Sequence, residues 1–203
     1  MITVVDYGMG NLGSVLNMLR RVGVDAEVTG DAMRIAKAER ILLPGVGAFD
    51  AAMERIHATC IRAVLEDKAL GEKVPVLGIC LGMQLLTRGS EEGVQPGLGW
   101  IQADTRRLPS NLGLKIPHMG WNVAERTRPS PLTDGLEGEV RFYFVHSYCV
   151  FADNSDDVIL RTRYGVDFAA AVQRDNIMGA QFHPEKSHRF GMQLLKNFSE
   201  MPC

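Results

Sequence analysis

Apolar and polar positions fall into blocks along the first 90 residues, and the apolar repeat switches between strand-like and helical spacing. Residues 2–6 form a short β-rich run that ends at the glycine loop Gly8-Met9-Gly10. Val15, Leu16, Leu19 and Val22 then share one helical face and predict a helix over residues 11–22, with Gly23 suited to ending it. Residues 26–29 and 40–43 predict two more strands, the second stopped by Pro44-Gly45. Phe49, Met53, Ile56, Ile61 and Leu65 predict a single helix over residues 48–66. Residues 74–79 are a continuous apolar run, which suits a central strand covered on both faces. Strands alternating with helices imply a parallel sheet with right-handed crossovers.

The second half has a different rhythm. Residues 141–150 and 168–173 are β-rich, and Arg174-Asp175-Asn176 separates the latter from another apolar run over 177–182, which reads as a hairpin. Phe190, Leu194 and Phe198 recur every fourth residue and predict a last helix over 187–199. Residues 104–140 are rich in Pro, Gly and Arg and predict loops with short strands. With no repeat, low-complexity tract or linker, the expectation is one α/β domain over residues 1–203. Its open, mostly parallel central sheet would be flanked by helices and extended by antiparallel strands in the second half.

Composition narrows the classes. The chain has 203 residues, 46% of them hydrophobic, and a formal net charge of −2. That balance argues against nucleic-acid binding, which needs a clustered excess of cations. The arginine pairs Arg106/Arg107, Arg126/Arg128 and Arg161/Arg163 read as solvated edges. No window has the apolar length of a membrane span and the N-terminus lacks a signal-peptide pattern, so a cytoplasmic protein is expected. Cys60, Cys80, Cys149 and Cys203 show neither metal-knuckle nor redox spacing and read as free thiols. The histidines have no metal-site spacing either, so His57, His118, His146 and His188 read as core or surface residues.

One thiol is chemically placed. In Gly78-Ile79-Cys80-Leu81-Gly82 a buried strand ends, a reactive residue appears between two glycines, and a helix begins. Such a turn pushes the side chain up at a helix N-terminus whose free N–H groups and positive field favour a thiolate. Taken alone, a small buried core thiol fits as well. His183-Pro184-Glu185 tips the balance: extended backbone turns positions i and i+2 the same way, and Pro184 keeps His183 out of helical geometry. The carboxylate would fix the imidazole tautomer, giving a nucleophile, base and orienter in Cys80, His183 and Glu185. The glycine-rich turn Gly45-Val46-Gly47 would add an oxyanion donor beside the Leu81 N–H. A rival exists, because Gly8-Met9-Gly10-Asn11-Leu12-Gly13 matches the dinucleotide fingerprint; it leaves Cys80 and His183 unexplained.

These motifs resemble the class I (triad) glutamine amidotransferases. Added to the elbow and His183-Pro184-Glu185 are Asp6-Tyr7-Gly8-Met9-Gly10-Asn11, Pro44-Gly45-Val46-Gly47-Ala48-Phe49, Pro117-His118-Met119-Gly120-Trp121-Asn122 and Phe142-Tyr143-Phe144-Val145-His146-Ser147-Tyr148. Together they look like the glutaminase subunits of imidazole glycerol phosphate synthase, end to end. The resemblance implies the amidotransferase fold and hydrolysis of L-glutamine to glutamate and ammonia, with Cys80 attacking, His183 moving the proton and Glu185 holding His183. It implies oxyanion donors at Leu81, Val46 and Gly47, and substrate contacts from Gly45, Gln84, Ser147 and Tyr148. No metal or organic cofactor is implied. It also implies a (β/α)8-barrel cyclase partner that receives the ammonia in a heterodimer, with weak turnover until that partner is bound. Gly10, Asn11, Trp121, Asn122 and Tyr143 are the candidate docking residues. Residues 185–192 and Gly97-Leu98-Gly99-Trp100 look more like a paralogous branch that supplies ammonia for acetamidino groups on surface sugars. A stand-alone cysteine hydrolase on the same fold is a further alternative.

Overall fold

A computed structural model describes residues 1–202; the predicted free thiol at Cys203 lies outside the described residues. Five short strands, β1 (Ile2–Val5), β2 (Ala26–Thr29), β3 (Ile41–Gly45), β4 (Val76–Cys80) and β12 (Ile177–Ala180), lie parallel in the order β2-β1-β3-β4-β12. Beyond β12 the sheet turns antiparallel through β11 (Val166–Arg174), β10 (Val158–Tyr164) and β7 (Glu125–Arg126). β9 (Tyr148–Ala152) also pairs with β11, and β5 (Ala103–Arg107) pairs with β9. A separate antiparallel pair is formed by β6 (His118–Val123) and β8 (Arg141–His146).

Both faces of the parallel region are covered, and the period of two decides which residue goes where. Leu42 packs into one core with α1 (Leu12–Arg21) and α6 (His188–Ser199). Its neighbours Ile41 and Leu43 point into the other, with α3 (Phe49–Ala58), α4 (Ile61–Glu66) and α5 (Leu81–Leu85). Phe142 and Phe182, fully buried, stack with ring centroids 3.6 Å apart and tie β8 to the segment that leaves β12.

The alternating blocks, the hairpin and the last helix stand as read, and three expectations change. The helix predicted over 48–66 is two, because Thr59 is extended (φ −114°, ψ 160°) and its hydroxyl donates to the Arg55 and Ile56 carbonyls. The β-run over 141–150 splits at Ser147, with β8 in the small sheet and β9 in the large one. β10 and the short helix α2 (Ala32–Ile35), capped by the Asp31 carboxylate, were not anticipated. Among the described residues, no helix is long and apolar enough to cross a membrane.

Candidate active site

The carboxyl ends of β3, β4 and β12 meet at one edge, where ligands bind in open parallel sheets. Register places Gly45 beside Cys80 and Ala180 beside Ile79, so both glycine turns and the segment leading to His183 open there. Cys80 has φ +54° and ψ −108°, a strained backbone for a residue with a side chain. The glycines around it are required by space. A Cβ on Gly82 would stand 1.8 Å from the Leu43 carbonyl oxygen, and one on Gly78 would stand 2.6 Å from the Gly82 carbonyl. One on Gly45 would meet the Tyr7 hydroxyl at 2.6 Å and the Gly82 nitrogen at 2.9 Å. The strand, the turn and α5 are therefore in backbone contact. Tyr7 secures this packing by donating to the Pro44 carbonyl at 2.6 Å, and burial, with the charge of Cys80, holds its phenol protonated.

His183 is extended, as Pro184 requires, but residues 184–186 then form a 3-10 turn rather than continuing as a strand. Proline suits the first position of that turn, and the Ser187 hydroxyl donates to the His183 carbonyl across it. The turn brings Glu185 Oε1 to 2.7 Å from His183 Nδ1, with both side chains almost wholly buried. Nε2 of the imidazole and Oε2 of the carboxylate are buried with no hydrogen-bond partner. Burial disfavours the imidazolium, yet Cys80 and Glu185 outweigh it and lift the His183 pKa to about 9. Cys80 Sγ lies 3.9 Å from Gln181 Nε2 and 4.0 Å from the Val145 carbonyl.

A cavity of about 360 Å³ opens over these groups, lined by Val46, Gly47, Cys80, Leu81, Gln84, Ser147, Tyr148 and His183. Gly45 lies at the β3 end beneath this cavity, beside Cys80. Leu81 begins α5, so its N–H lacks an intrahelical acceptor. Gln84 donates through Nε2 to the Tyr148 carbonyl at 3.0 Å and to Gln181 Oε1 at 3.2 Å. The cavity also takes in residues to which the sequence assigned no site role: Glu92, and Pro117, Val145, His146 and Lys186 from within the recognised motifs or the 185–192 segment. Glu92 carries no local signal in the sequence; it reaches the cavity while its Oε2 caps the Phe49 N–H at the start of α3.

The candidate docking residues are dispersed in role. Trp121 is 47% exposed, pairs with Tyr143 across β6 and β8, and stacks on His188 with centroids 5.2 Å apart. Asn11 caps α1 by accepting from the Ser14 N–H, and Gly10 sits at φ +115° beside the Pro44 ring. Asn122, half-buried, has its amide committed to the Arg163 carbonyl and to His118. The dinucleotide rival loses its footing: Gly13 has open space around it, and Arg55 fills the place beside Gly8 while donating to its carbonyl.

The profile described as "Glutamine amidotransferase class-I" matches residues 3–201. The chain belongs to this family. Similar relatives include the imidazole glycerol phosphate synthase subunit HisH 2 of Pseudomonas aeruginosa, 50% identical over 99% of this chain and all of the relative. The subunit of that name in Methanococcus maripaludis is 48% identical over 98% of both chains. Among solved structures, a glutamine amidotransferase superposes with a TM-score of 0.77 at 19% identity, covering 98% of this chain and 97% of that one. PurLQS from Thermotoga maritima superposes with a TM-score of 0.70 at 21% identity, covering 97% and 96%. The two structures bear out the α/β amidotransferase fold.

Proposed function

We propose that this chain, as a single amidotransferase domain, is the glutaminase subunit of an imidazole glycerol phosphate synthase. The observation that carries the chemistry is His183, paired through Nδ1 with Glu185 and left with an unpartnered, buried Nε2, on the wall of the cavity that Cys80 also lines. The full-length identity to subunits named HisH supports the pathway.

In this reading Cys80 Sγ attacks the side-chain carbonyl carbon of L-glutamine and its proton passes to His183 Nε2. The oxyanion is met by N–H groups of Leu81 and of the Val46-Gly47 turn, beside Gly45. His183 returns the proton to the departing amine, so ammonia leaves and a thioester remains. Water, deprotonated by His183, attacks the thioester; glutamate departs and the thiol is restored. Gln84 and the Ser147-Tyr148 backbone hold the amino-acid end, and Glu92 offers a carboxylate to its ammonium. The ammonia passes to a (β/α)8-barrel partner, for which Trp121, Tyr143, Asn122 and the Gly10-Asn11 loop are the docking residues. Because Val46 and Gly47 lie at an exposed turn beside the Met9-Gly10 loop, partner docking is read as aligning the oxyanion donors.

The test mixes the chain with a barrel synthase of the histidine pathway and, separately, with an acetamidino-sugar amidotransferase, each with and without its acceptor, and follows glutamate release. Stimulation by the histidine-pathway barrel is expected, and stimulation by the sugar enzyme alone would move the chain to the paralogous branch. Cys80→Ala should abolish glutamine hydrolysis yet leave synthesis from added ammonia intact; full turnover of the free chain, unchanged by any partner, would sink the docking role.

A further inference from the structure

Two buried histidines outside the triad are hydrogen-bonded to each other, His118 Nδ1 to His146 Nε2 at 3.0 Å. The direction of each bond around them is settled by the ends of the chain they form. At one end His146 Nδ1 lies 2.8 Å from the Tyr148 carbonyl, which only accepts, so Nδ1 carries the hydrogen. A neutral His146 then accepts at Nε2, and His118 must donate from Nδ1. At the other end the Asn122 amide is oriented twice: its Oδ1 accepts from the Val123 N–H at 2.8 Å and its Nδ2 donates to the Arg163 carbonyl at 3.0 Å. The same Nδ2 is 3.3 Å from His118 Nε2, which therefore accepts.

Every link is consistent with two neutral Nδ1–H tautomers, and protonating either ring would set two donors against each other. Burial, the largest influence on both, pushes His118 down to about 4 and His146 to about 3. The His118 ring is also clamped flat between Tyr164 and Phe144, with centroids 4.1 and 4.9 Å away. Beyond Tyr148 the chain continues into the cavity, because its carbonyl also accepts from Gln84 Nε2, and Gln84 reaches Gln181, which donates toward Cys80 Sγ.

We infer that His118 and His146 are positioning residues of the glutamine site: a one-way hydrogen-bond chain from Asn122 that fixes the Tyr148 carbonyl and, through it, the Gln84 amide. This rests on the glutaminase reading for its kinetic consequence, though not for its geometry. Neither imidazole exchanges a proton with substrate. Their contribution is to the placement of the substrate-holding segment, which bridges two sheets at Ser147: β5 holds its backbone from one side, with Arg107 opposite Tyr148 and the Leu108 N–H donating to the Ser147 carbonyl, and the two imidazoles aim the Tyr148 carbonyl toward Gln84.

The geometric test is long-range 1H–15N correlation on the intact chain at neutral pH. Both rings are expected as Nδ1–H tautomers; an Nε2–H tautomer or an imidazolium at either position overturns the proposal. The kinetic test uses the chain with its barrel partner. His118→Leu removes the donor to His146 and is expected to raise KM for glutamine about tenfold, the scale of one lost buried hydrogen bond, with kcat within about twofold. His118→Asn keeps a donor near the Nδ1 position and should recover most of that loss. Asn122→Ala, at the partly exposed end, covers the case in which His118→Leu does not fold; because Asn122 is also a candidate docking residue it is assayed with the barrel partner saturating, where it should raise KM in the same sense. Unchanged KM in folded variants, or a loss in kcat alone, would overturn the positioning role. A wild-type complex that released no glutamate would instead refute the glutaminase reading and leave the tautomer result standing.

Discussion

Replacing Glu185 with Gln tests the pairing with His183 most directly, since the shape is kept and the charge removed. In the native protein the carboxylate oxygen is 2.7 Å from Nδ1, with the two side chains 4% and 3% exposed. Unit charges at that contact attract by about 6 kcal/mol at an effective dielectric constant near 20, an upper figure because both charges are delocalised. The His183 pKa of about 9 gives a smaller figure: relative to an ordinary histidine, the imidazolium is favoured by roughly 3 kcal/mol net, which Cys80 and Glu185 supply together against the cost of burial. Losing about 2–4 kcal/mol from the state in which His183 holds the thiol proton lowers kcat about 30- to 1,000-fold. A flipped amide that donates to Nδ1 would impose the wrong tautomer and add to the loss.

The same substitution has a stability signature with a definite sign. A raised pKa means that the folded protein binds the proton more tightly than the unfolded chain does. That stabilisation is complete below the ordinary histidine pKa of about 6.5 and is lost as pH rises through about 9. Glu185→Gln should therefore cost up to roughly 3 kcal/mol at about pH 6 and little by about pH 10. Urea unfolding at about pH 6, 8 and 10, with glutamate release measured alongside, checks both halves. A variant within threefold of native turnover, or a stability loss independent of pH, would refute the reasoning.

Three further outcomes are expected. Gly82→Ala puts a Cβ 1.8 Å from the Leu43 carbonyl, so α5 must part from β3; loss of glutamate release by about 100-fold or more, with a lowered unfolding midpoint, checks it. Phe182→Ala removes a fully buried ring stacked 3.6 Å from Phe142 and should cost about 3–5 kcal/mol in urea unfolding; a cost below about 1 kcal/mol would show that the site collapses freely. Burial pushes the Cys149 thiol up to about 12, so brief alkylation near pH 8 followed by peptide mass mapping should label exposed Cys60 and leave Cys149 untouched.

Cys80, Gly78, Gly82 and the His183-Pro184-Glu185 segment were legible because each depends on geometry within a few residues. A tight strand-to-helix turn and an X-Pro bond are short-range constraints, and glycine and proline record them directly. The break at Thr59 was not legible, since the apolar spacing of Ile56 and Ile61 continues through it; the interruption comes from one extended residue whose hydroxyl takes two carbonyls. β10 escaped because its support is pairing with β11 and β7, which only the folded chain brings alongside.

The sequence by itself determined the parallel α/β order, the elbow that raises Cys80 and the tripeptide that pairs His183 with Glu185, because periodicity and turn chemistry are local. Tertiary structure alone decided that Glu92 reaches the cavity, that Ser147 bridges two sheets, and that His118 meets His146. The two histidines are 28 residues apart and unremarkable singly. Antiparallel register of β6 on β8 sets them opposite each other, and burial then keeps both neutral so that one can donate to the other.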